Sequence, residues 1–146
     1  MNSILSKEIF ENQTKHIKGR LLEARQWRVN EMSHPILDVT FLSSTRRPLR
    51  IKMKCDRYDE LPASIEILSE DGSFLMKPPT GTNVINVGAH SVTGRPFICS
   101  PGSFEYHTHS GHTNDLWENY KNKSDYDLGG MLTQIHNAWS KTTDVP

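Results

Sequence analysis

The sequence predicts an α+β fold in which helices near the two ends of the chain flank a run of antiparallel strands. Apolar residues recur at helical spacing near both ends of the chain. Between residues 26 and 68 they instead alternate with polar residues, which is the period of a half-buried strand. The 146 residues suit one domain, residues 1–146, with a modest core.

The first element is predicted to be one amphipathic helix over residues 3–25. Lys, Glu and Gln separate its apolar residues, and no proline interrupts the segment. The apolar residues fall mostly on one side of this helix: Ile4, Leu5, Ile9, Phe10, Ile17, Leu21 and Leu22. The pattern is typical of a helix packed on a sheet.

Four short strands then predict an antiparallel meander, at residues 26–32, 36–42, 49–55 and 63–68. In the third strand, Arg50, Lys52 and Lys54 alternate strictly with apolar residues, so Cys55 falls on the buried face. Cys55 is therefore expected to be a small core residue without chemistry.

A long loop and a second helix complete the predicted elements. The segment from Lys77 to Gly94 is rich in Pro and Gly, and a loop of this length in a compact domain is usually functional or disordered. Ser124 is the expected N-cap of the last helix, with Asp127 at its third position. The apolar stripe of this helix is Leu128, Met131, Leu132, Ile135 and Trp139.

Reactive side chains are concentrated between the loop and the last helix. Cys99 is followed by Glu105, His107 and His109, in a stretch rich in Gly, Ser and Thr. If residues 104–109 are extended, the period of two places the carboxylate and the two imidazoles on one face. These groups are the components either of a nucleophile with its base or of a metal site. Their spacing alone does not decide between the two.

Composition argues against several classes of function. Lys+Arg and Asp+Glu both number 17, so no net charge favours nucleic acid or an anionic membrane as a partner. No apolar run approaches the length of a membrane span, and the first residues lack the order of a signal peptide. Two cysteines are not a disulfide framework, so a reducing, cytoplasmic setting is expected.

The order of these elements resembles the ubiquitin-conjugating enzyme (UBC-like) fold. That family has an N-terminal helix, a four-stranded meander, a Tyr-Pro-x-x-Pro connection, a long active-site loop with a His-Pro-Asn signature, and then a thioester-forming cysteine. Tyr58–Pro62 is similar to the connection, Ala89–Ser91 stands where the signature would lie, and Gly94–Cys99 resembles the approach to the cysteine. Trp117 and the last helix would match the family's Trp and following helix.

One departure concerns the His-Pro-Asn signature. His90 is followed by Ser91 and Val92, so the family's Asn, which helps to stabilise an oxyanion, is absent. The loss of one such donor costs about 100- to 1000-fold in rate. Asn114 and Asp115 are candidates for a replacement hydrogen bond, and His90 is expected to order the loop.

The histidine-rich segment resembles bacterial members of the family in which a cysteine, a glutamate and two histidines form a set. Stand-alone members of this kind occur beside cGAS-like nucleotidyltransferases in cyclic-oligonucleotide antiphage signalling (CBASS) systems. They are implicated in joining the nucleotidyltransferase C-terminus to another group. The resemblance implies a thioester between Cys99 and the C-terminus of a cGAS-like nucleotidyltransferase or a ubiquitin-like protein. His107 or His109 would be the general base, oriented by Glu105, with no cofactor or metal.

A zinc hydrolase is the first alternative. His107-Thr-His109 followed by Ser124 and Asp127 resembles the His-x-His … Ser-x-x-Asp arrangement of JAMM-type isopeptidases. The gap before Ser124 is longer than that family favours, and its proline after the second histidine and its Glu-x-x-Gly strand are absent. His112 would complete a non-catalytic His-x-His-x-x-His zinc site.

The second alternative is a non-catalytic UBC-like adaptor that binds a partner's tail. A cysteine at the expected place argues against an adaptor but does not settle the matter. A structural cysteine surrounded by surface histidines is the remaining interpretation of the same residues.

Overall fold

The computed structural model, which describes residues 2–143, has an α+β architecture built around a four-stranded antiparallel sheet. The strands follow the chain in the order β1-β2-β3-β4, so they form the predicted meander. The main elements are α1 (Ser3–Thr14), α2 (Arg20–Arg25), β1 (Trp27–Ser33), β2 (Ile36–Phe41), β3 (Leu49–Lys54), β4 (Ser64–Leu68), β5 (Ile85–Asn86), β6 (Phe97–Ile98), α3 (Phe104–Thr108) and α4 (Leu128–Ser140). The predicted α+β class, N-terminal helix, meander and C-terminal helix are confirmed.

The core lies between the sheet and the two long helices. Alternate residues of β2 and β3 are buried on one face, and Phe10 of α1 packs into the same cluster. All five residues of the predicted α4 stripe are buried there as well. Cys55 is 1% exposed, as expected from the alternation, and burial raises the pKa of its thiol to about 12. This thiol is therefore unsuited to nucleophilic chemistry at neutral pH.

The prediction of one continuous helix over residues 3–25 is wrong, because the chain breaks between α1 and α2. Thr14 ends α1, and its hydroxyl donates back to the Phe10 carbonyl at 2.9 Å. Gly19 then adopts a φ of +57°, a conformation that residues with a side chain rarely take. The turn buries Ile17, which is 1% exposed.

The start of the last helix also differs from the prediction. Ser124 begins a short 3-10 turn, and Asp127, three residues later, is the N-cap of α4. Its carboxylate accepts a hydrogen bond from the Gly130 amide at 2.7 Å. A Cβ at Gly130 would lie only 2.2 Å from the Ser124 carbonyl oxygen, so this tight entry into α4 requires glycine.

The long loop contains one ordered pairing that the sequence did not indicate. Ile85 and Asn86 form β5, which pairs antiparallel with Phe97 and Ile98 of β6. This two-stranded ribbon delivers the chain to Cys99. None of the helices in residues 2–143 has both the length and the hydrophobicity needed to cross a membrane.

Candidate functional site

Cys99 lies immediately after β6, where the chain leaves the two-stranded ribbon. Its amide donates to the Val84 carbonyl at 2.7 Å, and the neighbouring side chains of Ile98 and Ser100 are buried. The Cys99 side chain itself is only partly buried, unlike that of Cys55. The backbone is thus fixed on both sides of a thiol that remains accessible, which is the setting of a reactive cysteine.

His112 is the histidine that contacts this thiol. Its Nε2 lies 3.8 Å from Cys99 Sγ. The imidazole stacks on the ring of Tyr106, with centroids 4.2 Å apart and planes 15° from parallel. Its amide donates to the His109 carbonyl at 2.9 Å, so a turn after α3 returns this side chain towards Cys99. From the sequence, His112 was a candidate only as a zinc ligand.

Asp115 supplies a negative charge near this pair. Its carboxylate accepts hydrogen bonds from the hydroxyls of Tyr106 and Tyr120. The hydrogen bonds from Tyr106 and Tyr120 hold the pKa of Asp115 below its usual range. The Asp115 carboxylate is thus joined through the Tyr106 hydroxyl to the ring on which His112 stacks.

His107 has both ring nitrogens engaged by the backbone. Nδ1 donates to the Asp115 carbonyl at 2.7 Å, and Nε2 accepts from the Gly102 amide at 3.0 Å. Burial lowers the pKa of this ring, in agreement with a neutral imidazole that accepts at Nε2. Because the only lone pair is occupied, His107 holds the loop after Cys99 in place and is poorly suited to be the general base.

Gly102, the residue bound by His107, is fixed from a second side by α4. Its φ is +101°, and a Cβ there would lie 2.6 Å from the sulfur of Met131. The loop therefore packs directly against the helix at this point. The sequence alone did not indicate that Gly102 is needed for this contact.

Glu105 does not face Cys99, because residues 104–108 form the short helix α3 and not an extended segment. Ser103 caps α3 by accepting from the Tyr106 amide at 3.0 Å. The Glu105 carboxylate accepts from Ser64 Oγ at 2.6 Å and from the Ile65 amide at 2.7 Å. Burial raises its pKa, and the two hydrogen bonds oppose that effect. The predicted common face of Glu105, His107 and His109 is therefore wrong, and Glu105 ties α3 to β4.

His109 lies one residue beyond α3 and packs against the ribbon. Its ring stacks on Phe97, with centroids 5.5 Å apart and an interplanar angle of 18°. Its Nδ1 accepts from the Gly111 amide at 3.1 Å. The ring centroids of His109 and His112 are 5.6 Å apart, so His109 supports the turn that carries His112.

His90 orders the long loop, as expected. Its Nε2 donates to the Glu105 carbonyl at 2.8 Å, and its Nδ1 accepts from the amides of Val92 and Thr93. The side chain is 3% exposed. Two histidines outside this region also have structural contacts. His34 bonds Ser6 Oγ at 3.2 Å, and His136 accepts from the indole of Trp27 at 2.9 Å.

The residues of the zinc alternative are not assembled. Asp127 caps α4, and His107 uses both ring nitrogens for backbone contacts. Within residues 2–143 no group of three or more His, Cys, Asp or Glu side chains is arranged to hold a metal ion. His107, His109 and Asp127 therefore do not form the ligand set that a JAMM-like site requires.

Comparison with known proteins adds no family. No protein-family model matches the sequence, and no curated protein matches it either. The order of the elements and the geometry around Cys99 are therefore the features that bear on function.

The neutral state of His107 predicts a loss of stability in mild acid. A histidine whose pKa is lowered on folding contributes its full stability above its ordinary pKa of 6.5 and loses it as the pH falls through the lowered value. The titration of His107 should therefore lower the unfolding free energy when the pH falls from about 7.5 to about 5, whereas the raised pKa of Glu105 acts in the opposite direction. Denaturant unfolding at several pH values measures this loss.

His107→Gln is the matched variant, because its amide oxygen can accept from the Gly102 amide without titrating. We expect this variant to lose less unfolding free energy than the wild type over the same pH range. His136, whose pKa burial also lowers, is present in both proteins and so cancels in the comparison. Equal losses in the two proteins would contradict the role assigned to His107.

Proposed function

We propose that the protein is a ubiquitin-conjugating-enzyme-like acyl carrier that forms a thioester on Cys99 with the C-terminus of a protein partner. The observation that carries the proposal is the contact between a partly buried Cys99 Sγ and His112 Nε2 at 3.8 Å. A thiol with an imidazole in reach and an accessible surface is the arrangement of an activated nucleophile. The order of helix, meander, long loop and closing helix supports the UBC-like form of this chemistry.

The proposed reaction has two steps. The Cys99 thiol gives its proton to His112, and the thiolate attacks the acyl carbon of an activated C-terminal carboxyl group, either a thioester or an acyl adenylate. A C–S bond forms, and the leaving thiolate or AMP departs. An incoming amine or hydroxyl then attacks this thioester, gives its proton to the base, and releases the cysteine as an amide or ester forms.

The proposed partner is a cGAS-like nucleotidyltransferase of an antiphage system, or a ubiquitin-like protein, held through its C-terminal tail. The resemblance of the Cys99 segment to bacterial members of the conjugating family suggests these partners. Equal numbers of acidic and basic residues agree with a protein partner better than with nucleic acid. A cytoplasmic setting is part of the same proposal.

A short peptide carrying a C-terminal thioester tests the first step without knowledge of the natural donor. The wild type should gain the mass of the acyl group on Cys99, and a thiol reductant should remove it. Cys99→Ser should give an ester that survives the reductant, and Cys99→Ala should give no adduct. Cys55→Ala is the matched control and should react as the wild type does, because the Cys55 thiol is buried.

The candidate partners provide the second test. A nucleotidyltransferase or ubiquitin-like protein, supplied with ATP and its activating enzyme, should form a thiol-sensitive adduct that is absent for Cys99→Ala. An adduct that persists in Cys99→Ala would show that Cys99 is not the acceptor. Tight partner binding with no adduct in the wild type would identify the non-catalytic adaptor instead.

A further inference from the structure

The imidazole of His112 lies against Cys99 without a hydrogen bond to a group that would orient it. Its backbone is fixed, because its amide donates to the His109 carbonyl at 2.9 Å and its carbonyl accepts from the Asp115 amide at 3.0 Å. Within residues 2–143 the ring itself has no hydrogen-bond partner besides Cys99 Sγ. A base beside a nucleophile is commonly oriented by a third group, so a contact of another kind must hold this ring.

The phenol ring of Tyr106 provides such a contact. Its centroid is 4.2 Å from that of the His112 imidazole, and the two planes differ by 15°. The ring of His109 is more distant, with its centroid 5.6 Å away and a tilt of 41°. A close, nearly parallel stack covers one face of the imidazole and restricts the rotation of its side chain. The stack therefore favours the orientation in which Nε2 faces Cys99 Sγ.

Tyr106 is itself held at three points, which makes it a rigid support. Its amide donates to Ser103 Oγ, the cap of α3, at 3.0 Å. Its hydroxyl donates to the Asp115 carboxylate. Its ring meets the His107 ring edge-on, with centroids 5.0 Å apart. Burial and the hydrogen bond to Asp115 raise the pKa of the hydroxyl, so it stays protonated and keeps this bond at neutral pH.

We propose that Tyr106 is the positioning residue of this site, whose ring holds the His112 imidazole in the orientation from which Nε2 takes the Cys99 proton. The hydrogen bond to Asp115 keeps that ring in place. Tyr106 thus acts on the thiol only through His112. The inference rests on the proposed role of Cys99 as a nucleophile and adds to it the group that orients the base.

Alkylation of Cys99 by iodoacetamide near neutral pH, followed by mass spectrometry, tests this role on the whole chain. Tyr106→Leu should slow alkylation by about tenfold, as much as His112→Ala does. Tyr106→Phe keeps the stacked ring and should react within about threefold of the wild-type rate. Tyr106→Gln, which also lacks the ring, replaces the leucine variant if denaturant unfolding shows that leucine prevents folding.

Tyr120→Leu is the matched control. The Tyr120 hydroxyl donates to the same Asp115 carboxylate at 2.8 Å, but its ring lies against His107 and Tyr126. This variant should therefore retain most of the wild-type alkylation rate.

Combining Tyr106→Leu with His112→Ala separates positioning from a general effect on the structure. Because Tyr106 acts through His112, the double variant should react no more slowly than His112→Ala alone. A further loss in the double variant would overturn the inference, as would a Tyr106→Phe that is as slow as Tyr106→Leu.

The same rates distinguish this inference from the proposed function. If His112→Ala is slow and Tyr106→Leu reacts as the wild type does, the positioning role is wrong and the activation of Cys99 by His112 stands. If His112→Ala reacts as fast as the wild type, that activation is wrong, and the role of Tyr106 falls with it.

Discussion

Replacing His112 with alanine should slow the reaction of Cys99 with iodoacetamide by about tenfold or more near neutral pH, where a free thiol is only a few per cent thiolate. The reason is the loss of the imidazole whose Nε2 lies 3.8 Å from Sγ. Acyl transfer should slow further, by about 100-fold, because general-base catalysis is lost as well. Mass spectrometry of the alkylated protein against time measures the first effect, and single-turnover adduct formation measures the second.

The matched variant is His109→Ala, which removes a neighbouring histidine whose ring stacks on Phe97. We expect a much smaller effect from it. If the alkylation rate of Cys99 depends on His109 and not on His112, His109 is the base, as the sequence suggested. Cys55 serves as an internal control in every sample, because its burial should leave it unmodified under native conditions.

Replacing Glu105 with alanine should lower the unfolding free energy by about 2–4 kcal/mol, because two hydrogen bonds disappear and the Ile65 amide loses its acceptor in a buried position. Glu105→Gln should change it by less than about 1 kcal/mol, since the amide oxygen accepts from Ile65 and the amide nitrogen donates to Ser64 Oγ. Denaturant unfolding of the three proteins measures both effects.

The same pair of proteins separates a structural from a catalytic role for Glu105. If the carboxylate acts only by joining α3 to β4, Glu105→Gln should retain thioester formation, and a stable but inactive Glu105→Gln would contradict this role. The pH dependence gives an independent check. Burial raises the pKa of Glu105, so its contribution is complete below the ordinary value of 4.5 and is lost as the pH rises through the raised value. As the pH is lowered through the raised pKa towards 4.5, wild type should therefore gain unfolding free energy relative to Glu105→Gln.

Strictly periodic patterns allowed the sheet and the last helix to be predicted from sequence. The alternation through β3 placed Cys55 in the core, and the apolar stripe of α4 is buried residue for residue. Apolar periodicity wrongly predicted one helix over residues 3–25, because apolar residues can keep helical spacing on both sides of a turn. Gly19, with its positive φ, carried the only local signal for the break.

The contacts of the candidate site were harder to predict from the sequence than the sheet and the last helix. Glu105, His107 and His109 have the spacing of one strand face. Ser103 precedes them as an N-cap, however, and residues 104–108 form a helix instead. Their roles then separate, because each side chain meets a different neighbour. The proximity of His112 to Cys99 depends on a turn after α3, which has no periodicity that would reveal it.

The contact between Gly102 and Met131 couples two positions that are far apart in the chain. A side chain at 102 would collide with the methionine sulfur, and the positive φ would strain it further. Related chains should therefore keep glycine at 102 whatever the size of residue 131, because the positive φ strains any side chain there. The loop after Cys99 should therefore tolerate substitution of Met131, whose flexible side chain can move, better than substitution of Gly102.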